Sequence, residues 1–284
     1  MDSYISFPNL GLELNVDNVA FSVFGKDVYW YGIIIAMGFA IAVFVGLYLA
    51  KKYGMKAETI FDIVIFGAPT AIICARAYYV AFRWDYYSSH PEDIIKIWNG
   101  GIAIYGAIIG AVAVAAIYCR VKKENFRLFV DIGGIGLAIG QCIGRWGNFF
   151  NQEAFGGNTD LPWAMTGNKI KSTLYSLKAD GLNVDPKLGV HPTFLYESLW
   201  NFVFIVLALK FFSKRKFDGQ MFLFYIIYYG IGRFWIEGLR TDSLYLGSFR
   251  ISQLVAIACV ALGSALMFYM LRKKDRKLTM PVEN

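Results

Sequence analysis

Hydrophobic runs long enough to cross a lipid core recur seven times along the chain, separated by polar or basic stretches. The runs are Val28–Ala50, Ile60–Phe82, Trp98–Cys119, Leu128–Phe149, Pro192–Phe212, Gly219–Leu239 and Phe249–Leu271. Each has the length of about 20 residues that a helix needs to span about 30 Å of hydrocarbon. The pattern predicts an all-α polytopic membrane protein with seven transmembrane helices, forming a single integral membrane domain over 1–284. Residues 1–27 mix polar and apolar positions and are expected to form an amphipathic arm at the membrane interface. They lack the basic region leading a short apolar run that marks a cleavable signal peptide. Residues 150–191, rich in Gly, Asn, Asp and Lys, are expected to form a small subdomain between spans four and five.

Composition agrees with the pattern. With 57% hydrophobic and 17% charged residues, the chain is too apolar for a soluble domain of 284 residues. The basic residues then set the orientation. Lys51, Lys52 and Lys56 follow span one, and Arg120, Lys122, Lys123 and Arg127 follow span three. Lys214, Arg215 and Lys216 follow span five, and the tail 272–284 is basic. The alternate connections hold few Lys or Arg, apart from the long 150–191 insertion, whose length weakens the rule. The N-terminus is therefore expected outside and the C-terminus in the cytoplasm, with the arm and the insertion on the outer face. The net charge of +7 then lies mostly on the cytoplasmic side and points to anionic lipid rather than nucleic acid. Cys74, Cys119, Cys142 and Cys259 fall in different spans without metal-ligand spacing, so they read as buried thiols. With only His90 and His191, a multi-histidine metal site is excluded.

Polar residues inside or at the ends of spans are costly and mark functional sites by default. Here they fall at one side. Tyr29 and Tyr31 open span one, Arg76 lies in the outer half of span two, and Asn99, Gly100, Gly101 and Tyr105 open span three. Arg145, Asn148, Asn151 and Glu153 close span four, His191, Tyr196 and Glu197 open span five, and Arg233, Glu237 and Arg240 close span six. Arg145 and Asn148 share a helix face, as do Arg233, Glu237 and Arg240. Three intramembrane arginines (76, 145 and 233) against one well-placed glutamate leave excess positive charge, which suits an anionic lipid headgroup. Plainer roles stay open: snorkelling for Arg145, an aromatic belt for Tyr29 and Trp30, a helix start at His191-Pro192, and a hydrogen bond from Glu197 to another span. A transporter for an anionic solute or lipid, or a receptor without chemistry, would use the same arginines. The uncharged inner halves Ile33–Leu49 and Gly106–Tyr118 disfavour a transport path.

Five segments in order resemble the bacterial prolipoprotein diacylglyceryl transferase family. They are Trp30-Tyr31-Gly32, Trp98–Gly106 (WNGGIAIYG), Gly144–Glu153 (GRWGNFFNQE), His191–Glu197 (HPTFLYE) and Arg233–Arg240 (RFWIEGLR). The resemblance implies a multi-pass enzyme of the bacterial cell membrane with its active site facing the outer leaflet. Such an enzyme moves the diacylglyceryl group of phosphatidylglycerol to the lipobox cysteine of prolipoprotein signal peptides. It forms a thioether, releases glycerol phosphate and begins lipoprotein maturation. The resemblance implies Arg145 and Arg233 as phosphate ligands and Asn148 and Tyr31 as headgroup ligands. Glu237 would orient Arg233 or take the thiol proton, and Tyr105 would donate to the phosphate or relay that proton. Asn151 and Glu153 would shape the outer wall, and Arg76, Gly156, His191, Tyr196 and Arg240 complete the substrate-contacting set. Many relatives have histidine where this chain has Tyr105, which leaves the base open among Tyr105, Glu237, His191, Glu153 and the substrate phosphate. No cofactor or metal is implied, and a monomer is expected.

Overall fold

A computed structural model describes residues 4–247, 249–273 and 277–282. In chain order the strands are β1 (Tyr4–Phe7), β2 (Leu12–Asn15), β3 (Val19–Val23), β4 (Lys26–Tyr29), β5 (Thr166–Gly167), β6 (Tyr245–Leu246) and β7 (Phe249–Arg250). The helices are α1 (Trp30–Lys52), α2 (Ala57–Phe82), α3 (Trp84–Tyr87), α4 (Ile104–Lys122), α5 (Phe126–Asn151), α6 (Asn168–Ala179), α7 (Thr193–Phe211), α8 (Gln220–Leu239) and α9 (Ile251–Arg272). The described residues are mostly helical, at 67%. Among the described residues, six helices are long and apolar enough to cross a membrane: α1, α2, α4, α5, α7 with its following turn, and α9. The sixth expected span does form a helix, α8, but it is not among the six. Its tyrosines, Arg233 and Glu237 dilute its apolar content. Lys274 and Arg276 of the basic tail, and Met1, Asp2 and Ser3 of the arm, lie outside the described residues.

The apolar side chains turn outward. Phe44, Ile73, Phe82 and Leu262 are each about two-thirds exposed or more, and only 11% of the apolar window of α9 is buried within the protein. Such a surface would be intolerable in water and is ordinary against lipid tails. Basic residues Lys51, Lys52, Arg120, Lys122 and Arg272 occupy the last turns of α1, α4 and α9, where they complement the helix dipole.

The chain divides into two units. The first comprises Met1–Val45 and Asp131–Leu278, the second Gly46–Val130 and Thr279–Asn284. In the first, the expected amphipathic arm is folded as strands. β1 pairs with β2 and with β5 of the insertion, and β3 pairs with β4. Ile5, Val16, Phe149, Phe155, Met165, Ile170, Leu174, Val190 and Phe194 form one buried cluster. That cluster joins the arm, the insertion helix α6, the end of α5 and the start of α7. At the other end of α5, the buried Asp131 carboxylate accepts the backbone N–H groups of Gly219 and Phe222 at 2.8 and 2.9 Å. It thereby satisfies donors that the start of α8 leaves open.

In the second unit, α4 starts at Ile104, six residues later than expected. Gly100 and Gly101 both have positive φ, so the chain cannot be helical there. Tyr29 is likewise outside span one, in β4. Gly106 and Gly110 sit where α4 crosses α2: a Cβ at Gly106 would strike the Cys74 carbonyl, and one at Gly110 would lie 2.8 Å from Cys74 Cβ. The spacing G-x-x-x-G lets these two backbones touch.

Candidate active site

Two helices of the first unit bring charged side chains to a carboxylate on a third. Glu197, in the first turns of α7, receives Arg145 Nη2 from α5 on one oxygen and Arg233 Nη1 from α8 at 2.7 Å on the other. Arg240 Nη1, just past α8, stands 3.8 Å away. Both helical spacings read from the sequence are realised. Arg145 Nη1 donates to Asn148 Oδ1 at 3.1 Å, and Arg233 Nη2 pairs with Glu237 Oε2 at 2.5 Å. The carboxylates are deep, with Glu197 4% and Glu237 2% exposed in their side chains, whereas Arg145 and Arg233 keep 21% and 19%. The guanidiniums therefore face the accessible side and the carboxylates hold them from behind.

The expected excess of positive charge is corrected by this arrangement. Arg145, Arg233 and Arg240 are met by Glu197, Glu237 and Asp242, the last paired bidentately with Arg240 at 2.7 and 2.9 Å. Arg76 belongs to the second unit. The cluster is formally neutral, so its pull on an anion comes from directed donors rather than net charge. Of the five N–H donors of a guanidinium, Arg145 and Arg233 each commit two to the contacts just given.

The wall beside the arginines follows from the turn after α5. Asn148 and Asn151 both donate to Glu153 Oε1, at 2.9 and 3.2 Å. Gln152 and Ala154 adopt left-handed φ of 51° and 57°, a strained turn that the buried surroundings enforce. Gly156 is then clamped: its N–H bonds the His191 carbonyl at 2.9 Å, and it bridges to Arg240. A Cβ there would lie 2.8 Å from His191 Cβ and 2.9 Å from the Leu239 carbonyl, so only glycine fits. His191 Nδ1 lies 3.2 Å from Tyr196 Oη, which accepts Trp163 Nε1 at 2.7 Å. Burial pushes the His191 imidazole below its ordinary pKa, so it is neutral at pH 7. Tyr31 packs its ring on Gly147 of α5 and lines an open groove of about 640 Å³ with Ile33, Asn151 and Lys169.

Two residues of the expected catalytic and substrate-contacting set belong to the second unit. Arg76 is buried and bonded to backbone carbonyls, and Tyr105 stands half-exposed in the first turn of α4, its ring 6.5 Å from that of Tyr78. Sequence reasoning gave Glu197 only a hydrogen-bonding part and did not see Asp242. The signal for Glu197 was the arginine count: three guanidiniums near one level of a membrane protein require buried carboxylates. No group of three or more His, Cys, Asp or Glu among the described residues is placed to hold a metal ion.

Comparison with known proteins gives a consistent result. The family model described as prolipoprotein diacylglyceryl transferase matches residues 18–269. A phosphatidylglycerol–prolipoprotein diacylglyceryl transferase of Finegoldia magna is 48% identical over 87% of this chain and 93% of its own length. One of Clostridioides difficile is 39% identical over 93% of this chain and 99% of its own. One of Lysinibacillus sphaericus is 44% identical over 91% and 93%.

Proposed function

We propose how this chain works from the premise that it belongs to the prolipoprotein diacylglyceryl transferase family. Its activity is that of its curated relatives, phosphatidylglycerol–prolipoprotein diacylglyceryl transfer. The acceptor is the lipobox cysteine of a prolipoprotein signal peptide. Its thiolate attacks the glyceryl carbon that carries the phosphate ester. An S–C bond forms, the C–O bond to phosphate breaks, and glycerol phosphate leaves with the electron pair. The thiol proton passes to a base, and a thioether-linked diacylglyceryl cysteine remains.

The charge balance of that step suits the arginine pair. A phosphodiester with one negative charge becomes a phosphomonoester that develops a second. Fixed donors aimed at growing charge lower a barrier most when they need no reorganisation, and losing one costs about 10²–10³ in rate. Arg145 and Arg233, held by Glu197 and Glu237, take the phosphate oxygens. Asn148 and Tyr31 take the glycerol headgroup, and Asn151, Glu153, Gly156, His191, Tyr196 and Arg240 form the wall. Tyr105 serves the transfer as a hydrogen-bond donor or proton relay. A monomer suffices for this chemistry.

In this reading the chain crosses seven times, with α8 as the sixth, the basic connections lie on the cytoplasmic side and the arginine cluster faces the outer leaflet of the bacterial cell membrane. The Lys/Arg asymmetry supports this orientation. The observation that carries the functional reading is the Glu197 carboxylate gripping Arg145 and Arg233 from two different helices. The test is a purified assay with phosphatidylglycerol in detergent and a lipobox peptide, reading glycerol phosphate release and peptide mass. Arg145→Ala and Arg233→Ala, made separately, should each lose turnover by about 10²–10³. Near-normal turnover in both folded variants would sink the assignment.

A further inference from the structure

The geometry points to Arg76 as a positioning residue for the Gly100-Gly101 loop and, through it, for Tyr105, rather than as a lipid ligand. The inference rests on the reading above that Tyr105 acts in the transfer.

Arg76 lies on α2 and is 7% exposed. Its guanidinium reaches four backbone carbonyls of the connection between α3 and α4. Nε donates to Ile94 at 2.8 Å, Nη2 to Asp93 at 2.6 Å, and Nη1 to Gly100 at 2.8 Å and Gly101 at 2.6 Å. The rings of Tyr87 and Tyr79 flank it, at 5.1 and 5.9 Å. The carboxylate of Asp93, whose carbonyl the guanidinium holds, is committed elsewhere, to Lys96 at 2.7 Å and Tyr86 at 2.7 Å. A buried guanidinium is thus solvated by carbonyl dipoles, and its donors are spent on the chain rather than turned toward a ligand.

The loop is built around that grip. Gly100 and Gly101 have φ of 83° and 78°, a region L side chains rarely adopt. A Cβ on Gly101 would also lie 2.6 Å from Arg76 Nη1 and 2.8 Å from the Tyr79 ring. The Ala103 N–H then bonds the Ala75 carbonyl at 3.1 Å, next to Arg76 in α2, and α4 begins at Ile104 with Tyr105 in its first turn. Arg76 therefore fixes both the path of the two glycines and the start of the helix that carries Tyr105. Lysine cannot replace it, because an ammonium has three donors at one point and cannot reach four separated carbonyls.

The test uses the full chain in detergent with phosphatidylglycerol and a lipobox peptide. Arg76→Gln, Arg76→Lys, Gly101→Ala, Tyr105→Phe and the double variant Arg76→Gln/Tyr105→Phe are compared, with hydrogen exchange followed over residues 93–105. Arg76→Gln and Arg76→Lys should each lower kcat by about 100-fold, the scale of a misplacement near 1 Å, with little change in the lipid KM. Exchange over 93–105 should quicken, and the double variant should be no slower than the slower single one. Gly101→Ala gives the same kcat loss with Arg76 retained, so a poorly folded Arg76 variant does not remove the test. Lys96→Gln, which alters only the half-buried pair with the Asp93 carboxylate, should keep normal turnover. A raised lipid KM with intact kcat, an active Arg76→Lys, or unchanged exchange would overturn the proposal. If Tyr105→Phe is fully active while Arg76→Gln remains slow with a loosened loop, the role of Tyr105 fails and the positioning of the loop stands.

Discussion

Glu197→Gln separates the two tasks of the arginine cluster. The native carboxylate contacts Arg145 and Arg233 directly and has Arg240 3.8 Å away. The amide keeps the shape but removes the charge and points N–H donors at guanidinium donors. Breaking a buried ion pair costs about 3–5 kcal/mol. Because the arginines are about one-fifth exposed, solvent screens part of this, and the lower end, about 3 kcal/mol, is the reasonable figure. If that energy is lost from the alignment needed when the phosphate leaves, kcat falls on the order of 100-fold. Binding should move the other way. With its internal anion gone, the cluster carries one more net positive charge, and phosphatidylglycerol should show an equal or lower KM. Initial rates of glycerol phosphate release against lipid concentration, beside a thermal melt, read both effects. A variant of normal stability whose kcat is unchanged, or whose loss lies wholly in a raised KM, would refute the claim that Glu197 aligns the arginines.

Two further outcomes follow from the wall of the site. Gly156→Ala should destabilise the fold by about 1–3 kcal/mol, because its Cβ has no space between His191 and the Leu239 carbonyl; a melt unchanged from wild type would count against the clamp. His191 has its pKa lowered by burial, so an unfolded chain binds a proton near pH 6.5 that the folded chain refuses. Its contribution is therefore retained above the ordinary histidine pKa and lost as pH falls below it. The melting temperature should drop from pH 7.5 to pH 5.5, and less so in His191→Gln. Equal slopes in the two proteins would contradict this.

What the sequence made legible was local. The pairs Arg145–Asn148 and Arg233–Glu237 follow from helical spacing, and each bond is found. Apolar runs located the helices because twenty apolar residues have few alternatives in lipid. The late start of α4 was missed because the run from Trp98 stays apolar through two glycines whose backbone is left-handed. The strands of residues 4–29 were missed because four- and five-residue segments such as Leu12–Asn15 show too little alternation to stand out. Glu197 was undervalued for a different reason. Its partners come from α5 and α8, and no spacing within α7 reports them.

The Asp131 cap has a consequence for chain length. Asp131 ties the start of α5 to the start of α8, and Arg145, Glu197 and Arg233 tie them again about 20 Å further along. Between those ties the two helices act as paired rulers. A single inserted residue in either would shift its arginine by about 1.5 Å and turn it by about 100° around the axis. Working relatives should therefore vary freely in the lengths of their surface connections, yet keep the Asp131–Arg145 and Phe222–Arg233 intervals without gain or loss.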